Sequence, residues 1–333
     1  MRKMILLAVF ALLFGGSAHA DREKVYTVGV RAYNGIQEAY QMWSPTLAYL
    51  EQHQNKYSFY LMPVFGFEQM RKLMETGQID LVITQPAEAV ILKERYGARI
   101  ILTELKEYNG KTVSYFSSAV FTRADRSDIN KFKDIKGKIF AGIDPEGFGA
   151  YWMGLKEVRD VGLKEGKDFR VVFTGTQDKV VDYVLSGKAD VGSVRSGILE
   201  NMAKKGKIDL KDVKVLNSVS DGLPLLHSTK LYPEWAFMVG KDVPEQVVTD
   251  IQNIMTNIPH DAPLLKDSSY AGWIMPVSYI SIYELMRSLD IGLYEKKSFM
   301  GFSEWPFYLK VLVPIAVIWV LILAYVGYSV YRK

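Results

Sequence analysis

The side chains best suited to chemistry in this chain are hydrogen-bond donors rather than nucleophiles or metal ligands. There is no Cys, which removes disulfides, thiol nucleophiles and thiolate metal sites together. Beyond His19 the histidines are His53, His227 and His260, and none sits in an HExxH run or another dense ligand cluster. No metal and no cofactor is therefore expected. The sequence also has no G-x-S-x-G, no Walker loop and no G-x-G-x-x-G. Asp144-Pro145-Glu146 places two carboxylates close together, either as part of a turn rich in Asp, Pro and Gly or as a pair facing an active-site water. Binding is expected, not catalysis.

Anion binding suits the remaining candidates. Thr84-Gln85, Gly147-Phe148-Gly149 and Thr174-Gly175-Thr176 all fall at strand-to-helix turns. Unpaired N–H groups and the positive end of the helix dipole favour negative charge at such turns. Arg195 ends a strand, where its guanidinium can grip an oxyanion bidentately or lock an ion pair between lobes; Arg31 is placed to assist. Loop aromatics (Tyr33, Tyr115, Phe116, Phe148, Tyr151, Trp235) read either as a pocket wall or as core.

These residues need strand ends to hold them, and the patterning supplies those. Val64–Leu92 and Val172–Leu199 follow one plan: a strand, a helix, a Gly stop, a second strand and another helix. Gly77 then corresponds to Gly187, Asp80 to Asp190 and Gln85 to Arg195, though a helix–Gly–Asp–strand pattern also recurs by chance in α/β chains. Short apolar strands alternating with helices across the chain indicate α/β units. Ligands of such sheets bind beyond the carboxyl ends of the strands. Two sets of units, with the chain passing out near 117 and back near 222, predict lobe 1 over 21–116, lobe 2 over 117–222, and a return to lobe 1 with a membrane-proximal segment over 223–305.

The 333 residues suffice for one large or two medium domains, and the net charge of +4 is too mild to suggest a nucleic-acid partner. At the start, Arg2-Lys3, the apolar run Met4–Phe14 and Ser17-Ala18-His19-Ala20 read as a signal peptide over 1–20, cleaved before Asp21. Near the end, Val311–Val330 carries no charge and is flanked by aromatics, with Arg332-Lys333 closing the chain. A transmembrane helix over 307–330 is expected, touching membrane lipid and leaving the main body on the periplasmic or extracellular side of the inner membrane. A buried core helix is the alternative.

Several blocks carry a resemblance: FTGTQDKVVDYVLSGKADVGSVRSGILE around Val172–Leu199, RADRSDINKFKDIKGK (Arg123–Lys138), Asp144–Tyr151, HSTKLYPEW (His227–Trp235) and YAGWIMPVSY (Tyr270–Tyr279). Through them the chain resembles the periplasmic phosphate/phosphonate-binding-protein-like family, particularly the sensor region of tetrathionate-sensor-type histidine kinases. The resemblance implies a two-lobed type II periplasmic binding fold, α/β in class, closing on a small anionic solute. It carries binding roles onto Tyr33, Thr84, Gln85, Ser117, Ser118, Thr174, Thr176 and Arg195, and more weakly onto His227 and Ser228. Gly147 stands where the family's turn usually has a Ser, so one hydroxyl donor is missing. The kinase of those relatives is also absent from these residues, which implies a histidine kinase as a separate partner, an ABC-type permease, or a structural role in the envelope.

Overall fold

Strands apolar on every residue must be covered on both faces, and the helices between them supply the cover. The computed structural model describes residues 24–32, 35–295 and 307–331, so the expected signal peptide and Tyr33 lie outside the described residues. The chain divides into two compact units, one up to Leu289 and one from Asp290.

The first unit begins with β1 (Lys24–Arg31), α1 (Ile36–Gln52), β2 (Tyr57–Val64), α2 (Phe67–Glu75) and β3 (Leu81–Thr84), followed by α3 (Pro86–Tyr96), β4 (Arg99–Tyr108) and β5 (Lys111–Val113). Pro86 suits the first turn of α3, where its missing N–H costs nothing, and Gly97 ends that helix in the left-handed region at φ 71. A two-residue strand, β6 (Tyr115–Phe116), leads into the second lobe. That lobe holds β7 (Ser118–Arg123), β8 (Ile139–Gly142), a π-helical turn Phe148–Trp152 running into α4 (Met153–Asp160), and β9 (Arg170–Phe173). It is completed by α5 (Gln177–Leu185), β10 (Val191–Arg195), α6 (Ile198–Lys204) and β11 (Val213–Val215). The chain returns through β12 (Tyr232–Pro233) to add β13 (Ala236–Val239), α7 (Glu245–Thr256), α8 (Pro263–Asp267), β14 (Gly272–Ile274) and α9 (Ile280–Leu289) to the first lobe.

The first-lobe sheet runs β14-β4-β13-β3-β1-β2 and the second-lobe sheet β11-β7-β10-β8-β9. β1 lies parallel to both β2 and β3, and β8 parallel to both β9 and β10, so in each lobe the carboxyl ends of several strands open on one side. β6 and β12 pair with each other, Phe116 opposite Tyr232, and these paired strands are the crossings between the lobes. The outward crossing is β6. The return does not fall near 222. Leu216 donates its N–H to the Val120 carbonyl, and Ser228 to that of Ser118, so the chain stays on β7 and satisfies its edge until the return at β12.

The duplicated pattern is real structure. Asp80 accepts the Thr27 N–H at 2.8 Å, and Asp190 accepts the Ile139 N–H at 2.8 Å. Each aspartate thus ties the entry of its strand to the neighbouring strand. Gly77 (φ 66) and Gly187 (φ 76) both take the left-handed conformation that a side chain would resist.

In the first lobe Trp43, Leu47 and Leu50 of α1 are buried. Trp43 lies 6.2 Å from Trp235, 6.1 Å from Tyr270 and 6.4 Å from Trp273, ring to ring. In the second unit, α10 (Phe307–Tyr331) is a helix of 25 residues with Lys310 its one charged residue. Among the described residues, no helix is long and apolar enough to cross a membrane. Replacing Trp43 by Ala should lower stability by about 3–5 kcal/mol, read as a fall in the urea midpoint at constant m-value.

Candidate functional site

Strand ends and helix starts from both lobes meet around a cavity of about 110 Å³. Arg31 arrives at the end of β1, Thr84 at the end of β3, and Gln85 as the residue capping α3. The second lobe contributes Asp144, the Gly147–Ala150 turn, Gln177 at the start of α5 and Arg195 at the end of β10. Two donors on this wall are unspent. The Thr84 hydroxyl and the Arg31 Nε are buried and find no hydrogen-bond partner among the described residues. A buried donor without a partner costs roughly 1–3 kcal/mol, so an acceptor that reached either of them would be bound favourably.

The cations here are neutralised. Arg31 pairs with Asp144 at 3.1 Å and stacks over the Phe67 ring at 3.9 Å. Arg71 bridges Glu88 at 2.5 Å and Glu146 at 2.7 Å. Gln85 donates to the Glu146 carbonyl at 3.0 Å and accepts from the Phe148 N–H at 3.2 Å. Arg31, Arg71 and Gln85 belong to the first lobe and their partners at residues 144–148 to the second, so these contacts join the jaws. Arg195 pairs with the fully buried Glu234 and lies 4.3 Å from the Phe116 ring. Of its two expected roles the structure shows the ion pair. Burial pushes the Glu88 carboxyl up to about 7, against the lowering effect of Arg71. Burial likewise raises Glu104, despite Lys106 at 2.9 Å.

The turn chemistry explains the absence of a serine. A Cβ on Gly147 would come within 2.4 Å of the Ile143 Cγ2 and 3.1 Å of the Asp144 carbonyl, and one on Gly149 within 2.6 Å of Phe116. Phe148 is buried against Phe116 and Tyr232, which fastens this turn to both crossing strands.

Thr84, Gln85, Gly147, Phe148, Gly149 and Arg195 are thus brought together, whereas six other expected site residues are not. The Ser117 hydroxyl bonds to the Thr229 carbonyl at 2.7 Å and that of Ser118 to Ser193 at 2.8 Å, both within the buried crossing. Thr174 Oγ1 donates to the Thr176 carbonyl, and Thr176 caps α5 through the Lys179 N–H. His227 bonds to Asp221 and the Leu225 carbonyl, and Ser228 to Leu216. These six knit local backbone and line neither interlobe cavity. Tyr151 is core as well, its hydroxyl donating to Glu165 at 2.6 Å.

Gln177 and Glu234 escaped sequence reasoning. Gln177 accepts the Arg195 N–H at 2.7 Å, and its place after the Thr174-Gly175-Thr176 turn was the available signal. Glu234, a lone carboxylate between Pro233 and Trp235, could have been suspected as a buried partner. A second, larger cavity of about 590 Å³ adjoins the first and includes Trp43, Glu104, Lys106, Tyr108 and Tyr270 in its wall.

Paired lobes, two crossing strands and an interlobe cavity at the strand ends define a two-lobed type II periplasmic binding protein. Residues 28–277 match the family described as ABC transporter, phosphonate, periplasmic substrate-binding protein, and the chain belongs to it. Its members bind solutes and do not catalyse. The chain is 29% identical over 307 residues to the tetrathionate sensor histidine kinase of Salmonella typhimurium, covering 92% of this chain and 50% of that protein. It therefore spans about half the length of that relative. PhnD1 of Prochlorococcus marinus in complex with methylphosphonate superposes with a TM-score of 0.65 at 17% identity, covering 80% of this chain and 98% of that one. A Xanthomonas citri protein bound to ATP gives 0.65 at 18%, with 80% and 98% covered. Ligands that different on one fold show that the fold alone does not choose the solute.

A carboxyl whose folded pKa is raised stabilises the fold below its unfolded pKa of about 4.3, and that contribution is lost as pH rises through the folded value, here about 7. Over that window the native state holds a proton the unfolded state lacks, so stability falls by up to about 1.4 kcal/mol per pH unit. Urea unfolding from pH 4.5 to 8 should show this decline in the natural protein and its loss in Glu88→Gln. In Arg195→Ala, stability should drop by about 3–5 kcal/mol because Glu234 is left buried and unpaired; chemical denaturation of that variant measures it.

Proposed function

We propose that the chain is a membrane-tethered periplasmic receptor for a small oxyanion, serving as the sensory input of a signalling partner. The observation that carries the reading is the pair of unspent buried donors, Thr84 Oγ1 and Arg31 Nε, on the wall of a cavity closed between two lobes. The paired charges around them leave the grip to hydrogen bonds and helix starts, which suits a compact acceptor-rich group. Likeness to a tetrathionate sensor histidine kinase over 92% of the chain favours sensing. The tether rests on the sequence alone, the uncharged run Val311–Val330 flanked by aromatics, whose twenty residues match the length that a hydrocarbon core of about 30 Å asks of a helix. Closure of the lobes about β6 and β12 is the motion such a receptor transmits.

The family's description as an ABC-transporter component favours a second reading, delivery of the solute to a permease. Titration of the purified full-length protein with methylphosphonate, phosphate, sulfite and tetrathionate separates binding from none. At least one should bind, and Thr84→Val should weaken it about tenfold, the equivalent of about 1.4 kcal/mol. Absence of heat and of any rise in melting temperature across the panel would overturn the receptor reading. Lobe-closing solutes that stimulate a co-expressed histidine kinase support sensing; solutes that stimulate only uptake support delivery.

A further inference from the structure

The smaller cavity holds only a compact group, yet it does not end in a closed wall. Gln177, Arg195 and Trp235 line it and also line the larger cavity of about 590 Å³. The two spaces therefore meet at these three side chains. Together they have one small polar chamber and one roomy chamber, with a threshold between.

The larger chamber differs in chemistry. Its floor is aromatic: Trp235 is stacked on Trp43 with 24° between their planes, and Trp43 on Tyr270 with 15°. Trp43 and Tyr270 are buried, while Trp235 keeps part of its surface free. Met42 and Leu265 add apolar surface. The cations nearest the floor are already answered, Lys106 by Glu104 and Arg195 by Glu234. What remains of positive charge, Lys266, lies at the exposed rim, where water screens it. A second anionic group entering here would lose hydration without meeting an unpaired buried cation, whereas a flat uncharged group would gain stacking and apolar burial.

We infer that the two cavities form one bipartite site for an organic oxyanion: the compact chamber takes a single phosphonate- or sulfonate-type head, and the larger chamber takes a planar, uncharged substituent laid against Trp235. The inference rests on the receptor reading and narrows its ligand class. It ranks a head bearing a ring above a bare head, and above a linear dianion charged at both ends.

Three probes applied to the purified full-length protein test this by calorimetry: methylphosphonate as a bare head, benzylphosphonate as head plus ring, and tetrathionate as the linear dianion. Benzylphosphonate should bind at least tenfold more tightly than methylphosphonate. In Trp235→Ala the ratio of the two affinities should fall to within about threefold of unity, and Trp235→Phe should restore it. If Trp235→Ala does not fold, Asn201→Trp provides the second variant: Asn201 lines the larger chamber only, and an indole there should fill it and lower the same ratio. Equal affinity for the two phosphonates, a ratio that survives both variants, or tetrathionate binding more tightly than benzylphosphonate would overturn the bipartite site while leaving an oxyanion receptor standing. Failure of all three probes while phosphate or sulfite still binds would overturn the bipartite site alone; failure of those two anions as well would overturn the receptor reading along with it.

Discussion

Burying a carboxylate wholly out of water is costly unless a close cation answers it. For Glu234, fully buried just after the return crossing, that cation is Arg195. The pair joins the end of a second-lobe strand to the point where the chain re-enters the first lobe. Around it the crossing is fixed from every side. The Glu234 N–H donates to the Ser114 carbonyl, the Tyr279 hydroxyl donates to the Glu234 carbonyl, and the Glu104 N–H donates to the Trp235 carbonyl. Phe116 covers the guanidinium. The crossing strands, the jaw bearing Gln177 and the wall shared by both cavities all depend on this one buried pair.

Spending Arg195 in this way changes what the cleft can do. With Arg31 held by Asp144 and Arg71 by Glu88 and Glu146, closure and recognition use different chemistry. Ion pairs bring the jaws together, and neutral donors with helix starts are left to recognise a solute. Selectivity then comes from the shape and hydrogen-bond capacity of the chambers more than from net charge. Charge attracts any anion, whereas placed donors distinguish one from another.

Much of this was legible in the residues. The offset that relates Gly77 to Gly187 and Asp80 to Asp190 marks the same strand-tying device in both lobes, because a buried strand entry needs its N–H satisfied wherever it occurs. The same offset relates Gln85 to Arg195, and both side chains do face the interlobe cavity. The other polar candidates were harder. Ser117, Ser118, Thr174, Thr176, His227 and Ser228 have the right types at the right turns, but a polar side chain near a strand end bonds first to whatever backbone lies unpaired beside it. The return crossing near 222 was misplaced for a related reason. Nothing in that stretch announces that β7 has an open edge requiring two more contacts.

By itself, the sequence determined the two-lobed α/β architecture, and its resemblance to a known family the class of protein. Strand and helix periodicity, glycine stops and the duplicated aspartates are local or nearest-neighbour constraints, and each can be read along one line. The tertiary structure decided which side chains are free to bind. Whether Thr84 keeps its hydroxyl while Ser117 spends its own, and whether Arg195 faces a solute or Glu234, depends on partners separated by many residues in the chain. A donor's availability is a property of everything folded around it, and no spacing of residues records that.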